Sequence, residues 1–194
     1  EHGIYVDYKD NVWIGGNNPN AQVRLTDRSD DMLLKFTSKG KLVMQFGKRD
    51  QSRGNADTKN VHQPADVQVV PKTNEVFVAD GYGNRRIAVF DADTAAFKRM
   101  WGAFSNAPID VPRPQPAAAG APAAPPPARE LEGPGPQQWG IVHAVRIAND
   151  GLVYVADRGN SRVQVFTSDG KYQTQVFINR KDKSAATAAG LALS

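Results

Sequence analysis

Two stretches of the chain are written in one pattern of apolar and polar positions. Residues 75–90, EVFVADGYGNRRIAVF, set the alternating runs VFVAD and RIAVF around a short Gly/Asn/Arg segment, and residues 153–166, VYVADRGNSRVQVF, do the same. Alternation with period two marks strands with one buried face, and a short polar interval between two such runs marks a hairpin turn. The shared order is V-x-V-A-D, a turn containing Asn, then Arg, an apolar residue, any residue, Val and Phe. A match of that length is an internal repeat rather than a coincidence of composition.

Extending the comparison outward gives three units. The first runs GIYVDYKDNVWIGG, is interrupted, and resumes as DMLLKFTSKGKLVMQFG; the second is ADVQVVPKTNEVFVADGYGNRRIAVFDADTAAFKRMWG; the third is AVRIANDGLVYVADRGNSRVQVFTSDGKYQTQVF. Each holds four short β-like runs divided by turn signals such as KDN, SKG, NDG and SDG. Four antiparallel strands in roughly 40 residues is the format of a propeller blade. The pattern therefore predicts an all-β propeller with blades at approximately 1–50, 61–102 and 139–180. In the second unit Val76, Val78, Ile87 and Val89 are expected to share one face, with Phe90 and Trp101 filling the space between neighbouring sheets. Near the end, GLALS aligns with AVRIA of the third unit, so 185–194 is expected to begin a further blade. Three blades leave apolar faces open, and the expectation is that a longer protein or another chain closes the ring.

Two segments break the period. Residues 17–31 are polar and stand where the other units have only a short turn, which predicts an exposed loop. Residues 103–138 contain PRPQPAAAGAPAAPPPARELEGPGP, which cannot form strand or continuous helix. A solvated linker between blades is the plain expectation; a lid or a partner-docking segment is the alternative.

Composition narrows the class without naming a function. Of 194 residues 40% are apolar and 23% charged, near the globular average, and 13 Pro with 17 Gly suit a chain of many turns. The formal net charge of +4 is spread thinly, which does not favour a nucleic-acid partner. The absence of cysteine excludes disulfides and thiolate metal sites. No stretch approaches the roughly 20 apolar residues of a membrane-spanning helix. The chain opens mid-pattern with EHGIYVD, so any targeting segment is expected to be removed or to lie outside it. There is no Walker A loop, dinucleotide fingerprint, nucleophile elbow or EF-hand.

Aligning the units puts His2 and His143 at one position, the start of the first strand, where the second unit has Ala65 and the truncated fourth has Ala189. The first strand of a blade lines the central channel. In a six-membered ring, equivalent residues of alternate blades converge with threefold symmetry, and three imidazoles so placed leave an open position, as catalytic zinc requires. Two of the three would lie in this chain, the third beyond Ser194. The alternative is a structural hydrogen bond at each strand start. His62, before Gln63-Pro64, is out of register and reads as a turn or rim residue. Arg86 and Arg162 fill the repeated N-x-R slot and are expected to bond Asp80 and Asp157 or neighbouring carbonyls.

The three units resemble NHL repeats, and HQPADVQVVPKTNEVFVADGYGNRRIAVF more narrowly resembles the six-bladed propeller of the peptidyl-α-hydroxyglycine α-amidating lyases and their bacterial relatives. The likeness covers nearly everything outside the two interruptions. It implies that His2 and His143 are zinc ligands, that Tyr82 is an active-site proton acceptor, that Arg158 binds a substrate carboxylate, and that the Ile4 carbonyl holds a structural calcium. The implied substrate is a small molecule or peptide ending in α-hydroxyglycine, split to an amide and glyoxylate, in a secreted or periplasmic protein. The competing expectation is a non-catalytic propeller that binds a protein, peptide or glycan, with 17–31 and 103–138 as docking loops. RNA binding, a third class, would need a basic patch on one face.

Overall fold

The computed structural model describes residues 2–17, 31–110, 132–181 and 187–193. Their strands form three four-stranded antiparallel sheets, each a meander in chain order. The first holds β1 (His2–Val6), β2 (Val12–Gly16), β3 (Met32–Phe36) and β4 (Leu42–Phe46). The second holds β5 (Pro64–Val70), β6 (Glu75–Asp80), β7 (Arg86–Asp91) and β8 (Phe97–Trp101), and the third β9 (Val142–Ile147), β10 (Val153–Asp157), β11 (Arg162–Phe166) and β12 (Tyr172–Phe177). The fold is all-β and of the propeller type, with three blades among the described residues.

The innermost strands stand side by side, β1 against β5 and β5 against β9. Each begins with a β-bulge, whose unpaired residue is Gly3 in β1, Ala65 in β5 and His143 in β9. A bulge bends its strand and re-aims the side chain there. At Gly3 the geometry demands glycine: φ is +66° and a Cβ would lie 2.5 Å from the Ala65 carbonyl oxygen.

Two apolar layers glue the blades together. Trp13, Leu33 and Phe46 meet Val76, Val78 and Phe90 between the first and second sheets, where the Phe46 and Phe90 rings are 4.2 Å apart. Phe77, Ile87, Val89 and Trp101 meet Trp139 and Phe166 between the second and third. The expectation that Val76, Val78, Ile87 and Val89 share a face is thus incorrect. The register pairs Val76 with Phe90 and Phe77 with Val89, so Val76 and Val78 face the first blade while Ile87 and Val89 face the third. A sheet buried on both faces carries apolar residues at successive positions, and alternation no longer tells which face is which. Phe90 and Trp101 do pack between sheets.

Polar latches repeat at fixed places. Arg86 Nε donates to Asp80 Oδ2 at 2.8 Å, and its Nη atoms donate to the carbonyls of Asn55, Asp57 and Asn60 in the loop entering the blade. Arg162 Nε donates to Asp157 Oδ2 at 2.8 Å, and its Nη atoms reach the carbonyls of Pro134, Pro136 and Gln138. All four charged side chains are fully buried.

Of the expected loop 17–31, Asn17 and Asp31 are both buried, and the Asp31 N–H closes on the Gly16 carbonyl at 3.1 Å; residues 18–30 lie outside the described ones. The Pro/Ala-rich segment begins with a short 3-10 turn, Ala103–Ser105. Asp110 accepts from Asn55, and the carbonyls of Glu132 and Gly133 accept from Arg180, so both described ends are tied down. Residues 111–131 lie outside the described ones. Residues 187–193 run without strand, and 185–186 and Ser194 are not among the described residues.

Candidate functional site in the channel

The alternation of histidine and alanine has a direct structural counterpart. His2 Nδ1 is 2.6 Å from the Ala65 carbonyl oxygen, and His143 Nδ1 is 2.5 Å from that of Ala189. A carbonyl can only accept, so both Nδ1 atoms carry a proton, and in the neutral form of each ring the lone pair lies on Nε2. Each imidazole is therefore oriented by the aligned alanine of the following unit. The structural hydrogen bond and the ligand role, which the sequence presents as alternatives, are compatible. A metal-ligating histidine ordinarily donates its other ring N–H to such a carbonyl or a carboxylate.

The two rings meet edge to face, with centroids 4.8 Å apart. Tyr82 completes the cluster, its ring 5.2 Å from that of His2 and 5.6 Å from that of His143. Its hydroxyl lies 3.3 Å from His2 Nε2, and with Nδ1 protonated the phenol is the donor. The turn bearing Tyr82 is fixed from below: Tyr82 N–H donates to the Gln63 carbonyl, and the N–H groups of Gly83 and Asn84 to that of His62. Gly83 packs directly against the His62 ring, where a Cβ would fall 1.5 Å from His62 Cδ2. His62 is thus the turn residue its sequence position suggests.

Arg158 opens the short 3-10 turn Arg158–Asn160, and its N–H donates to the Ile141 carbonyl at 2.9 Å, two residues before His143. Its guanidinium makes no hydrogen bond or ion pair among the described residues, and its charge is felt at His143. Burial pushes the His143 pKa down, the neighbouring His2 and the charge of Arg158 act in the same direction, and the bond to Ala189 and the charge of Asp66 oppose it. The ring is consequently neutral at neutral pH, the form that binds metal. Ile4, the expected calcium carbonyl, is on β1 opposite Ile14 with its side chain 69% exposed. Among the described residues no group of three or more His, Asp or Glu side chains is gathered closely enough to hold a metal ion.

A second tier of polar side chains follows three residues further along each inner strand: Tyr5, Gln68 and Arg146. Tyr5 donates to the Val69 carbonyl at 3.2 Å, and Gln68 Oε1 accepts the Ile147 N–H at 2.9 Å. Arg146 Nη1 donates to Asp66 Oδ2, which also accepts the Val145 N–H at 3.1 Å. Sequence reasoning passed over this tier. Its signal was present, since Tyr5, Gln68 and Arg146 stand three residues after His2, Ala65 and His143.

Comparisons with known proteins agree with this architecture. Residues 141–166 match the NHL repeat family. The chain is 29% identical over 178 residues to peptidyl-glycine alpha-amidating monooxygenase A of Xenopus laevis, covering 90% of this chain and 15% of that protein. It is 27% identical over 169 residues to a probable peptidyl-alpha-hydroxyglycine alpha-amidating lyase of Caenorhabditis elegans (86% of this chain, 37% of the relative). It is also 27% identical over 177 residues to NHL repeat-containing protein 3 of Homo sapiens (87% and 39%). It therefore spans well under half the length of these relatives. Among solved structures, a protein of unknown function from Bacteroides caccae superposes with a TM-score of 0.52 at 12% identity, over 94% of this chain and 51% of that one. Streptogramin B lyase superposes with a TM-score of 0.50 at 12% identity, over 92% and 40%. The chain carries an NHL repeat at residues 141–166 within a propeller fold, and it resembles the amidating lyases.

Proposed function

We propose that this chain contributes two zinc ligands, a proton acceptor and a carboxylate-binding cation to a lyase-like site that cleaves the C–N bond of an α-hydroxyglycine compound. One observation carries the reading. His2 and His143 come from alternate blades, their rings are 4.8 Å apart, and each is tied through Nδ1 to a backbone carbonyl. That leaves two Nε2 lone pairs for a cation. The donor set fits zinc, which takes neutral imidazole readily. A catalytic zinc site ordinarily has three protein ligands, and the described residues do not offer the third.

Bound there, the ion would supply Lewis acidity toward an oxygen of the ligand. The remaining chemistry belongs to the chain's own residues. Tyr82, whose hydroxyl stands beside His2, acts as the phenolate, a form that a neighbouring cation favours: it takes the proton from the substrate hydroxyl and returns it to the departing nitrogen. As that oxygen becomes a carbonyl, the C–N bond breaks with its electron pair moving to nitrogen, which gains a proton and leaves as the amide. Glyoxylate is the other product. Arg158, free of internal partners among the described residues, holds the carboxylate through its planar, permanently charged fork. The names of the relatives support the substrate class.

Glyoxylate release from a neutral acyl-α-hydroxyglycine by the zinc-loaded full-length protein tests the proposal. Tyr82→Phe should lower kcat by roughly 100-fold or more, the range typical of a proton-transfer residue, and Arg158→Gln should mainly raise KM. Release that is equal in wild type and Tyr82→Phe, or that survives removal of zinc, would refute it.

A further inference from the structure

Beyond the channel, one cationic hollow is left unused by the reaction just described. The loop between β4 and β5 encloses two adjoining cavities that share Gln51, Lys59 and Asn60; Arg53 and Thr58 line one of them and Lys48 the other. Lys48, Arg53 and Lys59 are exposed, and their side chains form no ion pair or hydrogen bond among the described residues. The single carboxylate in the wall, Asp57, is consumed by the loop itself. Oδ1 accepts the N–H groups of Lys59 and Asn60, and Oδ2 accepts the Arg53 N–H and the Asn60 amide. Three exposed cations therefore stand against one wall carboxylate whose oxygens are already engaged, an excess of positive charge that favours an anionic ligand.

Its position relates it to the channel cluster. Asn60 in the cavity wall is three residues before Gln63, whose carbonyl fixes the Tyr82 turn. Three residues reach at most about 11 Å even when extended. The same loop gives its Asn55, Asp57 and Asn60 carbonyls to Arg86, four residues after Tyr82. The loop that walls the cationic hollow and the turn that carries Tyr82 thus stand at the same end of the second blade. No exposed aromatic ring lines the hollow. Its one ring, Phe46, is 8% exposed and packed on Phe90, so there is no platform on which a nucleobase could stack.

We infer that this hollow is a subsite for acidic side chains of a peptide whose C-terminal end occupies the channel, so that the ligand is an extended acidic peptide rather than a small acylglycine. The inference rests on the channel cluster being the reacting site. Lys48, Arg53 and Lys59 act as point and fork charges that steer the peptide and fix its direction, with an effect that weakens as salt rises.

Fluorescence anisotropy with two labelled glycine-ended peptides, one carrying Asp and Glu and the other Asn and Gln at the same positions, tests it. The zinc-loaded full-length protein should bind the acidic peptide about tenfold more tightly at low salt. The preference should vanish in Lys48→Gln/Arg53→Gln/Lys59→Gln, whose three side chains are exposed and make no hydrogen bond or ion pair among the described residues. Equal affinities, or a preference that survives the triple substitution, overturn the inference. So does a single-stranded RNA oligonucleotide that competes more strongly than the acidic peptide and loses its binding in the triple variant. Glyoxylate release from a small neutral acyl-α-hydroxyglycine, measured alongside, reports on the channel reading alone: normal release with no acidic preference rejects only the subsite.

Discussion

The turn after β6 and the turn after β10 are built on one frame and tipped with different residues. In both, a buried aspartate receives an arginine Nε at 2.8 Å, and that arginine gathers the carbonyls of the loop entering its blade. In both, the second carboxylate oxygen accepts a backbone N–H from that loop, His62 at 2.7 Å in one and Gly140 at 2.9 Å in the other. The tips diverge. The first carries Tyr82 into contact with both imidazoles, and the second carries Arg158 within electrostatic reach of His143. What repeats is framework, and what fails to repeat is chemistry. A repeat protein can vary a tip without disturbing its scaffold because the buried ion pair already fixes the turn.

The sharpest way to break this comparison is to break a frame. Asp80→Asn or Asp157→Asn leaves a buried guanidinium without its counter-charge, and either should cost about 3–5 kcal/mol in chemical denaturation. Tyr82→Phe and Arg158→Gln, in contrast, should stay within about 0.5 kcal/mol of wild type. Similar losses at tip and frame would erase the distinction.

A smaller effect separates the two turns themselves. A Cβ on Gly159 meets the Gly140 Cα at 2.7 Å, which is backbone, whereas a Cβ on Gly83 meets the His62 ring. Gly159→Ala should therefore be the costlier of the two, in the range of about 1–3 kcal/mol. Adding His62→Ala should relieve Gly83→Ala, and a double-mutant cycle reads that coupling. Additive losses would show that the ring is not the obstacle.

The repeat period, the strands and the Asp/Arg frame were all legible in the sequence because they recur, and recurrence needs no knowledge of packing. Histidines in register with alanines were legible for the same reason. What the register does not contain is the partner of each imidazole: Ala65 and Ala189 act through carbonyl oxygens, which every residue possesses. Nor could alternation assign Val76 and Ile87 to opposite faces, since both faces of the second blade are buried. The pairing of Asp66 with Arg146 was missed because it joins two blades, and a single-blade pattern shows the position of each residue but not its partner.

The smallest expected effect lies at the outer edge of the second blade, far from either turn. Arg99 donates through two nitrogens to Glu75 at 2.8 Å each and through Nε to the Ser168 carbonyl, linking the second and third blades. Those hydrogen bonds hold the Glu75 carboxyl well below its usual range, at about 2. With the folded pKa depressed, the stabilisation is complete above the unfolded value near 4.5 and is lost as pH falls toward 2. The stability difference between wild type and Arg99→Gln should shrink between pH 5 and pH 2.5, about the window those values set. A constant difference across it would assign the effect of Arg99 to packing on Phe77 instead.

The central claim is that His2 and His143 both keep Nε2 available for one metal ion. Long-range proton–nitrogen NMR of the imidazole side chains during a zinc titration measures this directly. Both residues should show a protonated Nδ1 before zinc, and both Nε2 signals should shift together as zinc is added, with the His62 signals unchanged. A protonated Nε2 on either ring in the absence of metal, or zinc that leaves the His2 and His143 nitrogens where they were, would contradict it.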